Sequence, residues 1–166
     1  MTKALGLLLV FSGCLLAGWG RALALEREVK KAALWRDLLR QFQVCLETTR
    51  AAPGEIIRML AKETAFTEDE GVQAMAAAFR QSGSFAGAVR AALGDQSRPG
   101  AVERTLLSLG DVVGIKPLEE QLAALSGAGL LLEQEWERAR ERSRRYGGLS
   151  RRLGLLLGLL AVVVLA

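Results

Sequence analysis

In 166 residues the chain sets 22 lysines and arginines against 18 aspartates and glutamates, a formal net charge of +4, with no histidine. The excess is local. Residues 138–152 hold seven arginines against one glutamate and the rest is close to neutral, which argues against the broad basic face of a nucleic-acid-binding domain. The absence of histidine removes the commonest acid–base group near neutral pH and the commonest metal ligand.

The chain opens on an uncharged run, residues 4–20. At about 1.5 Å of rise per residue its 17 residues span roughly 25 Å, close to the hydrocarbon thickness of a bilayer. Arg21, Arg27, Lys30 and Lys31 follow, with only Lys3 ahead of it, so the positive-inside rule puts the residues after this segment in the cytoplasm. An uncleaved anchor is the expectation. A cleaved signal and a lipoprotein, with Cys14 as the lipidated residue of Phe11-Ser12-Gly13-Cys14, are the alternatives.

Between the two ends every stretch reads as helix, because alternating patterns are absent and alanine, leucine, glutamate and arginine dominate. Val29, Leu34, Trp35, Leu38, Leu39, Phe42, Cys45 and Leu46 recur at three-and-four spacing on one face of a long first helix. Pro53 suits the first turn of a second helix carrying Ile56, Ile57, Leu60 and Ala61. Residues 67–70 have the composition of a helix start and lead to Val72, Met75, Ala76 and Phe79. After the break at 81–84 comes a short helix with Phe85, Val89 and Leu93 that ends at Gly94. Residues 95–100, DQSRPG, form the most loop-like stretch. Another short helix carries Val102, Leu106 and Leu109 to Gly110, and Gly114 and Pro117 delimit the start of the final one.

That final helix begins amphipathic and ends apolar. Leu122, Leu125, Leu132 and Trp136 make its packing stripe, and Gly127 and Gly129, each costing roughly 1 kcal/mol relative to alanine, are expected to permit close approach to the first helix. Arg144, Arg145, Arg151 and Arg152 then flank Gly147 and Gly148 ahead of an uncharged tail, residues 153–166. Arginine is costly in hydrocarbon and is attracted to anionic headgroups, so Arg21, Arg144, Arg145, Arg151 and Arg152 are expected to set membrane topology at the lipid surface. The tail spans only roughly 21 Å as a helix; it is either a tilted or interfacial insertion, or starts earlier with its arginines snorkelling. Ser150, Gly154 and Gly158 recur every fourth residue, a small-residue face for packing another membrane helix.

The expected architecture is therefore all-α: an anchor at residues 1–21, a cytoplasmic bundle of about six helices at 22–146, and a membrane-inserting helix at 147–166. The two cysteines lie 31 positions apart, Cys14 in an anchor and Cys45 on an apolar face, which suits neither a disulfide nor a metal site. No GxxxxGK phosphate loop occurs, and Glu68, Asp69 and Glu70 read as a helix start before they read as a catalytic carboxylate pair. No enzymatic activity, cofactor or metal is expected. Asp111, in the break between Gly110 and Gly114, either caps the following turn or presents a charge to a partner.

Order and spacing carry a resemblance over nearly the whole length. Leu109-Gly110-Asp111, Gly114, Glu119, Gln121, Tyr146, Leu153-Gly154, Gly158 and the aliphatic ending resemble the stage III sporulation protein AB family of bacterial membrane proteins required for endospore formation. The resemblance implies a soluble domain similar to the cytoplasmic helical domain of type II secretion and type IV pilus platform proteins. It further implies, as partners, the other stage III proteins of the channel between mother cell and forespore, and a secretion-type ATPase, stage III sporulation protein AA. The expected role is a non-catalytic platform on the mother-cell side, with the bundle cytoplasmic and both termini across the membrane. Gly110, Asp111, Gly114, Glu119 and Gln121 are its candidate partner contacts or caps. The alternative is a generic membrane-tethered helical adaptor or an envelope lipoprotein.

Overall fold

The computed structural model describes the backbone of residues 2–94 and 99–165; the side chains of residues 2–11, 14–15, 149–155 and 157–165 are not described. Most of the loop expected at 95–100 thus lies outside the described residues. Among them the chain forms six helices and no strand: α1 (Thr2–Thr49), α2 (Pro53–Leu60), α3 (Glu70–Ser82), α4 (Phe85–Leu93), α5 (Ala101–Leu109) and α6 (Leu118–Leu165). The all-α reading holds. The first and last helices are 48 residues each, about 72 Å at the usual rise, and α6 runs unbroken through Gly147 and Gly148.

The chain divides into two compact units: one of Met1–Lys31 with Trp136–Ala166, the other Ala32–Glu135. The second unit holds the hydrophobic core. Trp35, Leu38, Leu39, Phe42 and Leu46 line one side of α1, and all are buried, as their spacing requires. They pack with Ile56, Ile57 and Leu60 of α2, Val72 and Met75 of α3, Phe85 and Val89 of α4, and Leu125 and Leu132 of α6. The rings of Phe42 and Phe85 lie 5.6 Å apart and tilted by 55°, within the range in which aromatic pairs attract edge to face.

Two side-chain contacts define how α1 and α6 meet in this unit. Arg36 Nη1 lies 3.5 Å from Glu133 Oε1, and Gln43 Nε2 donates to Ser126 Oγ at 3.1 Å. Advancing seven residues on α1 means retreating seven on α6, so the helices are antiparallel and hold one register over two turns. The stripe on α6 buries Leu125, Ala128 and Leu132 and half-buries Leu122.

The short helices start and stop where local chemistry dictates. Arg50, at φ 50°, ends α1 in the left-handed conformation. Asp69 accepts a hydrogen bond from the Val72 N–H at 3.0 Å and caps α3. Gly83, at φ 63°, ends α3, and Ser84 caps α4 by accepting from the Gly87 N–H at 3.4 Å. A two-residue connection of this kind folds α4 back beside α3. Residues 61–69 form successive tight turns, bury Phe66 and are tied to α3 by Gln73 Nε2, which donates to the Ala61 carbonyl at 2.8 Å. That turn carries no helical periodicity, so Phe66 is a core residue the sequence pattern does not announce.

Gly127 and Gly129 differ from expectation. A Cβ built on either meets nothing within 4 Å, so neither glycine is needed for α6 to approach α1. Gly127 lies on the exposed face of the helix, and Gly129 is half-buried beside open space. Replacing Gly127 by alanine is therefore expected to stabilise the protein by about 0.5–1 kcal/mol, through the reduced backbone entropy lost in a helix interior; a raised urea midpoint of the helical circular-dichroism signal checks this.

In the first unit, Ala22 and Ala139 are the buried side chains among the described residues. Leu16 (69% exposed), Trp19 (56%), Leu23 and Tyr146 are uncovered. Arg140 lies over the Trp136 ring at 5.1 Å from its centroid, a cation–π contact, and Arg145 stands 3.9 Å from Glu141 one turn back. No helix is long and apolar enough, among the described residues, to cross a membrane. The side chains of most of the two apolar ends expected to do so lie outside those residues.

Candidate interaction site

Of the residues singled out around the break between α5 and α6, Gly110 and Gly114 line a groove of the second unit. It is open, about 650 Å³ in volume, and lined by the first turns of α2, the end of α3, the start of α4 and the turn from Gly110 to Ile115. Glycines shape its walls. A Cβ at Gly54 would collide with the Phe79 ring, and one at Gly110 would stand 2.9 Å from the Cα and Cβ of Ala86 and 3.1 Å from the Leu107 carbonyl oxygen. Gly110 thus has ordinary helical backbone, φ −59°, and is needed for the close passage of α5 against α4.

The turn itself is built from backbone bonds and one side chain. Val112 and Val113 donate to the Leu109 carbonyl, and Ile115 and Lys116 to that of Val112. Gly114, at φ 83°, takes a conformation other residues resist. Its N–H donates to Gln121 Oε1 at 3.1 Å, while Gln121 Nε2 donates to the Lys116 carbonyl at 2.6 Å. Gln121 is only 9% exposed, so the first turn of α6 clamps the loop from both sides of the reversal. Asp111, in contrast, is exposed, and the bonds that close the turn do not involve its carboxylate. A capping role was the simpler expectation; the long amide performs it because Gln121 sits where the chain returns, which a residue at the start of the turn cannot reach. Glu119 is exposed in the first turn of α6, beside Glu120, where a carboxylate complements the helix dipole.

Replacing Gln121 by leucine removes both bonds while keeping the volume. A loss of about 1–2 kcal/mol follows, read as a lower urea midpoint, together with faster amide exchange at Gly114 than at Val113, whose N–H keeps its own acceptor.

The clamp holds one apolar side chain in solvent: Ile115, 71% exposed, stands at the lip of the groove. Val113 below it is buried. Charge enters through Arg58, 4.0 Å from Glu55, and Arg80 on the exposed end of α3. An apolar floor with charges at the rim is suited to holding an apolar side chain of another protein. Among the described residues no three His, Cys, Asp or Glu groups are placed to hold a metal ion.

The family model described as "Stage III sporulation protein AB (spore_III_AB)" matches residues 3–166. The chain belongs to the stage III sporulation protein AB family. Membership supports a role in stage III of sporulation and points to other sporulation proteins as its partners. No curated relative and no solved structure matches the chain.

The membership covers both units, and so spans the residues the sequence marked for the membrane as well as those of the groove. Arg21, Arg144 and Arg145 are exposed on the first unit. Arg151, Arg152, Ser150, Gly154 and Gly158 lie on α6, and their side chains are outside the described residues. Gly110, Gly114 and Gln121 meet in one turn; Asp111 and Glu119 flank it without contributing to its closure.

Proposed function

We propose that this member of the stage III sporulation protein AB family is a non-catalytic platform in the mother-cell membrane. It couples a secretion-type ATPase, stage III sporulation protein AA, to the channel between mother cell and forespore. The observation that best supports a membrane role is the composition of the first unit's surface. Leu16, Trp19, Leu23 and Tyr146 are exposed there, alongside Arg138, Arg140, Arg142, Arg144 and Arg145. Large apolar side chains left in water are unfavourable by about 25 cal/mol per Å². Tryptophan and tyrosine with clustered arginine are the mixture found at the cytoplasmic headgroup layer, where each cation near the surface contributes about 1 kcal/mol. In this reading the second unit is cytoplasmic, both termini lie across the membrane, and the Ile115 groove is offered to partners on the cytoplasmic side.

The test uses the full-length chain. Membranes of sporulating cells are washed with carbonate, and the detergent-extracted protein is passed over the immobilised cognate ATPase. Retention in the carbonate-washed pellet and on the ATPase column is expected. Release by carbonate would remove the membrane role, and failure to bind in several detergents would remove the coupling. A cysteine at exposed Glu63, labelled in intact cells by a membrane-impermeant thiol reagent, would reverse the assigned orientation.

A further inference from the structure

Among the described residues, Ile115 is the most exposed of the large apolar side chains, at 71%. The backbone bonds of its turn and the Gln121 clamp fix it there, so burying it against its own chain would require the turn to open. Its neighbours on the groove are accessible as well: Ala52 is exposed, and Pro53 and Phe79 are half-buried. An open groove covers one side of its occupant. That suits a segment laid across it better than a small molecule, whose sites enclose most of its surface.

The charges on this groove do not cancel. Its charged groups are Glu55, Arg58 and Arg80. Glu55 and Arg58 pair within one turn of α2 at 4.0 Å, while Arg80 is exposed and, among the described residues, has no carboxylate partner. The surplus is one guanidinium, whose planar fork binds a carboxylate through two parallel hydrogen bonds. An apolar lip with an uncompensated cation on the same groove favours an occupant that brings both an apolar side chain and an acid.

We propose that this groove docks an acidic amphipathic segment of a partner protein. The segment seats an apolar side chain against Ile115 and Phe79 and places an aspartate or glutamate on Arg80. The docking rests on the reading of the Ile115 groove as a partner surface and is independent of which protein the partner is.

A photo-reactive residue in place of exposed Ala52, in the full-length chain in sporulating cells, tests this, with the captured peptide sequenced. One segment is expected, carrying an aspartate or glutamate within one helical turn of an apolar residue. Arg80→Glu cuts the cross-link by about tenfold while moving the thermal midpoint of the detergent-extracted protein by less than about 3 °C, and reversing the captured acid to lysine restores it. Arg80→Lys keeps part of the yield, because the charge remains and the fork is lost. Ile115→Ala lowers the yield and Ile115→Leu keeps it. Capture of such a segment from a protein other than the ATPase upholds the docking and removes the ATPase from this groove, so the two readings fail separately. The proposal is overturned if no cross-link forms, or if it forms to lipid, to another copy of this chain or to a segment without an acid. It is equally overturned if Arg80→Glu leaves the yield unchanged, which would reduce Arg80 to a complement of the α3 dipole.

Discussion

Leu125→Ala is expected to destabilise the protein by about 3–4 kcal/mol. Leu125 is 0% exposed and belongs to the core cluster of the second unit, and deleting a fully buried isobutyl group removes its transfer free energy and leaves a cavity as well. The neighbours cannot collapse into the gap easily, because Gln43–Ser126 beside it and Arg36–Glu133 two turns further along α6 hold the register of α1 and α6. The measurement is the urea midpoint of full-length protein in one detergent, with Leu130→Ala as reference. Leu130 lies on the same helix, 69% exposed, and its truncation should shift the midpoint by less than about 0.5 kcal/mol. Equal effects at the two positions would mean that α6 does not pack in the register described.

Gly110→Val should cost about 2–3 kcal/mol through overpacking. The atoms a Cβ meets there are the Cα and Cβ of Ala86 at 2.9 Å and the Leu107 carbonyl oxygen at 3.1 Å. None of these is the free end of a flexible side chain, so α4 and α5 must separate. Since Gly110 also lines the groove beside Ile115, the variant should lose binding at that surface together with stability. Ile115→Ala separates the two effects: an exposed side chain leaves the midpoint near wild type while removing the apolar lip. The pair is checked by midpoint and by partner binding on the same preparations. A Gly110→Val protein with an unchanged midpoint would remove the close α4–α5 contact.

The elements themselves were readable from local pattern. Apolar residues three and four apart on α1 mark the face that Trp35, Leu39 and Phe42 bury, and Pro53, Asp69, Ser84 and Gly94 punctuate the helices because capping and breaking act over only a few residues. Phe66 was not readable in this way, since it sits in consecutive tight turns where burial follows no period. The break from Gly110 to Pro117 was readable as important, but not in its working parts: acidic Asp111 stays in solvent while Gln121, seven residues after Gly114, closes the turn.

By itself the sequence determined an all-helical chain, the order and limits of its short helices, the buried stripes, and a basic patch confined to one segment, since each depends on neighbours within one or two turns. An antiparallel pairing of α1 and α6 was already implied by the charges at the two apolar ends, but its register, Arg36 against Glu133, came only from the packed fold. The packed fold also decided that Gly110 is a contact glycine while Gly127 faces open space, and that Arg80 and Ile115 share one groove. Those outcomes depend on which surfaces meet across dozens of residues. A helical period says which face of a helix is apolar, but not how closely another helix passes over it.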